Sequence, residues 1–182
     1  RMDITSLDEV QLPLLEYLYL EDCVYNKEEA LYLNDCPNLK EIIIYQCNLV
    51  LLPEFQDCTK LEIVDVGFSD LSKDNLSTYD LSKLTNMLQF SVADADIRGT
   101  ITDDFNRMTS LKRLDLSGNQ LTGQLPKDLS GLSNVEDFYV SFNQLEGSLA
   151  PLAALTNAGR IFLPGNKFKG SIPNALLKNN SR

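Results

Sequence analysis

The 182-residue chain contains neither histidine nor tryptophan. Histidine is the side chain that most often serves as a general base and that most often binds transition metals, so its absence argues against both kinds of site. The four cysteines include no Cys-x-x-Cys pair, the spacing typical of structural zinc sites. Catalysis would depend on carboxylates alone, and we therefore expect no enzymatic activity, no cofactor and no metal.

Lysine and arginine are scarce, because the chain has 16 of them against 26 acidic residues and a net charge of −10. This balance argues against nucleic acid as a partner, since phosphate binding depends on clustered cations. The charge is also uneven: residues 1–80 contain 5 basic and 17 acidic side chains, and residues 81–182 contain 11 and 9. An acidic half favours a basic partner, and unequal halves would allow weak self-association. A merely solvated acidic surface is the alternative.

Long apolar runs are absent as well, and no stretch reaches the length of about 18 to 20 residues that a membrane span needs. We therefore expect no membrane span in this chain. The first residues lack the charged-then-apolar pattern of a signal peptide, and the last residues form no recognisable polar cap. We expect the chain to be a fragment of a longer secreted or cell-surface protein, in which any lipid anchor would lie in sequence not present here.

One apolar frame returns seven times along the chain, most clearly at residues 111–121, LKRLDLSGNQL. Its steps of 22 to 26 residues are typical of solenoid repeats, which bury their apolar edge only when they are stacked on neighbours. We therefore expect one elongated domain over residues 1–182, with residues 1–14 as a partial first repeat. The seven repeats start near Leu15, Leu39, Leu61, Met87, Leu111, Val135 and Ala158.

Each repeat contains two apolar residues that alternate with polar ones, as in Leu114 and Leu116, and this period of two predicts a short strand. Stacked strands would form a parallel sheet with one buried and one open face. An inward small or polar residue follows three positions later, and where it is asparagine we expect it to bond the backbone of the turn. The first four repeats should then have a looser turn. The positions are Cys23, Cys47, Ser69, Ala95, Asn119, Asn143 and Asn166.

The segments that return between strands carry a more specific signal from about Ile97 onward, as in residues 121–126, LTGQLP, and 168–173, FKGSIP. This pattern resembles the plant-type leucine-rich repeat, which also occurs in bacterial surface proteins. The resemblance implies an α/β repeat solenoid, a curved stack with a parallel concave β-sheet and with short helices and extended segments on its convex side. Residues 26–34 and 73–84 have apolar spacings of three or four, which predict a helical turn or short helix. This mixture is most similar to Bacteroidetes-like surface arrays.

All four cysteines fall on inward positions of the frame, so we expect them to be free, buried thiols. Neighbouring strands lie about 5 Å apart, which leaves a disulfide between Cys23 and Cys47, or between Cys36 and Cys58, as the alternative.

The outward side chains of the strands are the candidate binding site. We define an N-terminal patch, which combines aromatic area with carboxylates, a mixture typical of interfaces but also explained by ordinary strand propensity. We also define a smaller C-terminal patch, beyond a waist of small and polar side chains. The N-terminal patch contains Tyr17, Tyr19, Glu21, Glu41, Ile43, Tyr45, Ile63 and Asp65, and the C-terminal patch contains Arg113, Asp137, Tyr139, Arg160 and Phe162.

These features predict a non-catalytic recognition module that binds a protein or peptide through the concave sheet. Two alternatives are left open. The array could be a structural spacer or self-association element without a dedicated ligand. Less favoured is glycan binding or hydrolysis by exposed aromatic and acidic side chains, with Asp65 and Asp115 about 10 Å apart as the carboxylate pair.

Overall fold

One strand from each repeat enters a single parallel sheet of seven strands, whose order in space follows their order along the chain. The computed structural model describes residues 1–7 and 11–179. This arrangement confirms the predicted solenoid. The strands of this sheet are β2 (Tyr17–Glu21), β4 (Glu41–Tyr45), β5 (Ile63–Gly67), β6 (Gln89–Ser91), β8 (Arg113–Asp115), β10 (Asp137–Tyr139) and β12 (Arg160–Phe162).

Equivalent residues of successive repeats face each other across the whole sheet. Tyr17 pairs with Glu41, Glu41 with Ile63, and the same column continues to Arg160. The next outward column runs in register from Tyr19 to Phe162. The predicted columns of outward side chains are therefore present, and the inward residues between them stack into one core.

The core is a continuous row of fully buried side chains along the stack. Ile42, Val64, Phe90 and Leu114 each have 0% exposed surface. The ring of Phe90 packs edge-on against that of Phe105, with centroids 5.3 Å apart. Because each repeat buries its apolar edge on the next, no repeat has a core of its own.

Short strands and single helical turns occupy the return segments. Three two-stranded sheets link neighbouring returns, and no helix among residues 1–7 and 11–179 is long and apolar enough to cross a membrane. The short strands are β1 (Met2–Asp3), β3 (Cys23–Val24), β7 (Arg98–Gly99), β9 (Gln120–Leu121), β11 (Glu146–Ser148) and β13 (Lys167–Lys169). The 3-10 helices are Leu76–Thr78, Asp103–Arg107, Ser130–Leu132 and Ala150–Ala154, and the α-helix is α1 (Asn174–Asn179).

The helical turn or short helix predicted over residues 26–34 is wrong, because this segment contains no helix. The same prediction for residues 73–84 is confirmed by the 3-10 turn Leu76–Thr78. Leu31 and Leu33 are buried while Tyr32 between them is 43% exposed, which is the alternation of an extended chain. Glu54 fixes this segment, because its N–H donates to Leu31 O at 2.8 Å and its carbonyl accepts from Leu33 N at 2.8 Å. Pairing with the next repeat thus overrode the local helical spacing.

The three late asparagines form the predicted ladder of bonds to the backbone. Asn143 accepts from Leu121 N at 3.0 Å and donates to Leu116 O at 2.8 Å and Val140 O at 3.2 Å. Asn119 and Asn166 bind equivalent groups one repeat before and one repeat after. Each side chain therefore joins its own repeat to the preceding ones.

The early repeats replace the ladder by other side chains. Asn48, one position beyond the ladder residue, accepts from Tyr25 N at 2.5 Å. Ser69 donates to Cys47 O at 2.9 Å, and the buried carboxylate of Asp74 accepts from Leu52 N at 2.7 Å. Ser69 at the ladder position, and Asn48 and Asp74 at other positions, therefore satisfy backbone groups of these turns in a less regular pattern than the late asparagines. The looser turn of the early repeats stays a prediction.

The four cysteines are buried as free thiols. Cys58 donates from Sγ to Leu33 O at 3.0 Å. Burial raises the pKa of Cys58 to about 12 and that of Cys47 to about 11. These two thiols therefore stay protonated in the folded chain at neutral pH.

Replacing Asn143 by alanine should lower the free energy of unfolding by about 2 kcal/mol, because it leaves the buried N–H of Leu121 without an acceptor. The carbonyls of Leu116 and Val140 each lose one bond but still accept from Asn119 and Asn166. Urea unfolding followed by circular dichroism measures the change. The matched control is Asn157→Ala, which removes one exposed hydrogen bond to Asn134 at 3.4 Å and should have almost no effect. Equal effects of the two substitutions would contradict a stabilising ladder.

Stability should fall as the pH rises above about 8.5, the pKa of a thiol in the unfolded chain. The raised pKa values of Cys47 and Cys58 mean that their contribution is complete below that pH and is lost toward pH 11 to 12. Urea midpoints from pH 7 to 10.5 test this, and Cys58→Ala should flatten the profile. At pH 8 iodoacetamide should modify the thiols only after unfolding, and rapid modification of the native chain would contradict their burial.

Candidate functional site

Tyrosine hydroxyls bind carboxylates across the strands of the N-terminal patch. The Tyr19 hydroxyl donates to Glu41 Oε2, and the Tyr45 hydroxyl donates to Asp65 Oδ2 at 2.5 Å. Gln89 adds a third donor, from Nε2 to the same Asp65 oxygen at 3.0 Å. These bonds fix the rings in position and bring strands β2, β4, β5 and β6 into one polar surface.

Tyr19 and Tyr45 remain protonated donors well above neutral pH, because their pKa values are raised. The hydrogen bond to Glu41 raises the pKa of Tyr19, and burial, followed by the bond to Asp65, raises the pKa of Tyr45 more strongly. Tyr17 and Tyr19 are 49% and 57% exposed, so much of their ring surface faces solvent. The ammonium of Lys40 lies 5.8 Å from the centre of the Tyr17 ring and also binds Glu16 at 2.7 Å. The patch therefore offers fixed aromatic area beside carboxylates.

A chain of ion pairs organises the C-terminal patch. Asp137 accepts from Nε and Nη2 of Arg160, each at 2.5 Å, and its Oδ2 lies 3.8 Å from Nη1 of Arg113. Arg113 also donates to Asp115 at 2.7 Å. The side chains of Asp115 and Asp137 are only 12% and 11% exposed, whereas that of Arg160 is 64% exposed. The carboxylates thus anchor two cations that remain accessible from the sheet face.

Two aromatic rings lie within this network. The ring centres of Tyr139 and Phe162 are 5.0 Å apart in an edge-to-face arrangement, and the Arg113 guanidinium lies 4.7 Å from the centre of Tyr139. Both contacts favour a fixed ring orientation. Together with Ser117, Ser141 and Arg160 these rings line a shallow hollow that is open to solvent.

The structure places the predicted site residues in two groups on one face. The N-terminal patch lies on the adjacent strands β2, β4 and β5, and the C-terminal patch on the adjacent strands β8, β10 and β12. Strand β6 separates them, with Gln89 half-buried and Ser91 buried on its outward face. The two patches are therefore separate surfaces on a common sheet.

Asp65 and Asp115, the carboxylate pair considered for hydrolysis, both accept hydrogen bonds from neighbouring groups of the sheet. Asp65 accepts from Tyr45 and Gln89, and Asp115 accepts from Arg113 and from Ser117 N at 3.1 Å. Both side chains therefore hold neighbouring groups in place. No cluster of three or more acidic or cysteine side chains with metal-binding geometry occurs within residues 1–7 and 11–179.

Phe68 and Phe142 are exposed aromatic residues that the analysis of the strands missed. They are 59% and 68% exposed, and each lies one position beyond the third outward column of the sheet. That column consists of Glu21, Tyr45, Gly67, Ala93, Ser117, Ser141 and Pro164. The sequence does distinguish these two phenylalanines, because the equivalent positions of the other repeats carry aspartate, glutamine or glycine.

Comparison with known proteins gives the leucine-rich repeat as the family that matches residues 97–145. The plant peptide hormone receptor RGFR1, in complex with RGF2, is 25% identical over 93% of this chain, with a TM-score of 0.81. The PEPR1-AtPEP1 structure is 20% identical over 96% of the chain, with a TM-score of 0.76. The ectodomain of the Arabidopsis receptor kinase HAESA, in complex with an extended IDA peptide hormone, is 18% identical over 96%, with a TM-score of 0.78.

The chain spans only 27%, 28% and 29% of these three solved chains. No curated protein matches its sequence. The likeness establishes the leucine-rich repeat fold over nearly the whole chain, in agreement with the seven-stranded parallel sheet.

Asp137→Asn should lower the melting temperature by about 4 °C, because it removes the charge that holds two arginines on the sheet. Differential scanning calorimetry measures the change. Glu136→Gln is the matched control, since it disrupts an exposed ion pair with Lys112 at 3.3 Å and should shift the melting temperature by less than about 1 °C. An unchanged melting temperature of the Asp137→Asn variant would show that the ion-pair network does not stabilise the sheet.

Proposed function

We propose that this leucine-rich repeat solenoid is a non-catalytic recognition segment of an extracellular or cell-surface protein, and that it binds a protein or peptide across its sheet face. The observation that carries the proposal is the in-register face with two exposed patches, each of which combines aromatic rings with fixed charges. Of the solved structures described above, one is the plant peptide hormone receptor RGFR1 in complex with RGF2, and another is the HAESA ectodomain in complex with a peptide hormone ligand. They support this class of partner.

The two patches favour a partner that spans several strands. Aromatic side chains bury 150 to 250 Å² each when covered, and pre-ordered rings lose little conformational freedom on binding. In the N-terminal patch the hydrogen bonds of Tyr19 and Tyr45 supply that order, and in the C-terminal patch the contacts of Tyr139 with Phe162 and Arg113 do so. The proposed contact residues are the two patches as defined from the sequence.

Charge favours a basic partner for the N-terminal patch. Glu21, Glu41 and Asp65 lie on its strands, and the first 80 residues carry 12 more acidic than basic side chains. Steering of this kind accelerates association and weakens with added salt.

A structural spacer that associates with itself is the second candidate. The observation that favours it is the unequal charge of the two halves, since residues 1–80 carry 5 basic and 17 acidic side chains and residues 81–182 carry 11 and 9. Light scattering over a range of salt concentrations tests it, because head-to-tail association between unequally charged halves should weaken with salt. The similarity to bacterial surface arrays, a lipid anchor outside this chain and glycan binding remain predictions.

Selection of peptides from a displayed random library against the immobilised chain tests the recognition function. The triple variant Tyr17→Ala, Tyr19→Ala, Tyr45→Ala should bind the selected peptides at least tenfold more weakly, because aromatic anchors dominate interface energies. Biolayer interferometry measures the affinities, and circular dichroism confirms that the variant is folded. Tyr32→Ala is the matched control, since Tyr32 is 43% exposed on a return segment.

Two results would reject the proposed function. One is equal affinity of the selected peptides for the wild type, for the triple variant and for the C-terminal double variant Tyr139→Ala, Phe162→Ala. The other is a failure to select any peptide together with salt-sensitive self-association, which would favour the spacer.

A further inference from the structure

The residue that follows the third outward column has a left-handed backbone in every repeat. We call these seven positions the rim, because they lie where the chain leaves the seven-stranded sheet. They are Asp22 (φ 50°), Gln46 (φ 52°), Phe68 (φ 55°), Asp94 (φ 50°), Gly118 (φ 67°), Phe142 (φ 54°) and Gly165 (φ 74°). The turn therefore imposes this conformation whatever side chain is present.

Phenylalanine is an unfavourable choice for such a position. Glycine adopts a positive φ without steric cost, and aspartate and asparagine tolerate it, whereas a bulky side chain is strained there. Burial does not compensate for the strain, since Phe68 is 59% and Phe142 68% exposed. Two exposed, strained rings in one series of seven positions point to a role outside the folding of the chain.

A glycine near each ring leaves room for aromatic side chains, Gly165 beside Phe142 and Gly67 beneath Tyr45, the neighbour of Phe68. A Cβ at Gly165 would lie 2.7 Å from Cδ1 of Phe142, so a larger residue there would collide with the ring. The centre of the Phe68 ring is 6.4 Å from that of Tyr45, whose ring lies over Gly67. Each phenylalanine ring therefore has neighbouring residues on one side and is exposed to solvent on the other.

An unpaired carboxylate lies between the two rings. Asp94 follows Phe68 by one repeat, and Gly118 separates it from Phe142. The Asp94 side chain is exposed and has no hydrogen-bond or ion-pair partner within the described ranges 1–7 and 11–179. The rim thus presents an apolar ring, a free negative charge and a second apolar ring in that order.

We propose that the rim binds an extended peptide that carries two apolar side chains four residues apart and a cationic side chain midway between them. Phe68 and Phe142 are three strand spacings apart, about 14 Å, which is the length of about four extended residues. Alternate residues of an extended chain project to the same side, so the first and fifth side chains would face Phe68 and Phe142. Asp94 lies one strand spacing, about 5 Å, from Phe68, and the third side chain lies about 7 Å along the peptide. The offset of about 2 Å is within the reach of a long cationic side chain. This inference rests on the proposed function and names the chemistry of its partner.

The probe is the synthetic peptide acetyl-Gly-Leu-Gly-Arg-Gly-Leu-Gly-amide, titrated into the isotope-labelled chain and followed by the NMR shifts of its amides. Wild-type chain should show saturable shifts at the rim positions. Phe68→Gly and Phe142→Gly should each weaken binding at least fivefold while the melting temperature stays equal or rises, since glycine relieves the strained backbone. Gln46→Gly is the matched control, because it relieves the same conformation without removing a ring and should leave binding unchanged.

The charge is tested separately from the rings. Asp94→Asn should weaken binding of the arginine peptide at least threefold, and a peptide with glutamate in place of arginine should not bind the wild type. Unchanged binding by Asp94→Asn, or equal binding of both peptides, would overturn the assignment of the cation.

Three further results would overturn the proposal as a whole. One is a lower melting temperature for both glycine variants, which would give the rings a role in the fold. Another is an absence of rim shifts with the probe, and the third is self-association that the glycine variants abolish, which would make a second copy the occupant. If the rim variants are neutral while the tyrosine triple variant still loses the selected peptides, the rim proposal fails and the proposed function stands.

Discussion

Parallel hydrogen bonding between equivalent residues of successive repeats is the constraint on which the rest of the structure depends. A slip of one residue in any strand would turn its buried side chains to solvent. Val64 and Phe90 are fully buried neighbours in this register, while Ile63 and Gln89 form the neighbouring outward pair. The repeats differ in length, so the variation is absorbed by the return segments, where extended chain and 3-10 turns alternate. The sheet face stays regular as a result.

This regular frame carries two different chemistries. In the N-terminal patch, carboxylates accept from tyrosine hydroxyls, and in the C-terminal patch, shielded carboxylates hold arginines. Both arrangements join side chains of neighbouring strands, so they depend on the register and also reinforce it. The rim adds a third element, because its backbone conformation is set by the turn and its side chains are free to vary.

The strands, their register and the late asparagine ladder could be predicted because each follows from a residue type at a fixed place in the repeat. Residues 26–34 could not, since Leu31 and Leu33 owe their extended form to Glu54 in the next repeat rather than to local spacing. Asn48 was missed because it lies one position away from the ladder. The hydrogen bonds within the two patches also required coordinates, since the reach of Tyr45 to Asp65 depends on ring orientation. The role of the predicted contact residues remains a proposal.

The uneven ladder has a mechanical consequence. Asn119, Asn143 and Asn166 each tie one coil to the coils before it, whereas Cys23 and Cys47 at the same place only donate to carbonyls at 3.4 Å within their own coil. In the early coils Asn48, Ser69 and Asp74 each make one bond to the preceding coil, whereas each late asparagine makes at least two. Resistance to the separation of neighbouring coils should therefore increase toward the C-terminal patch.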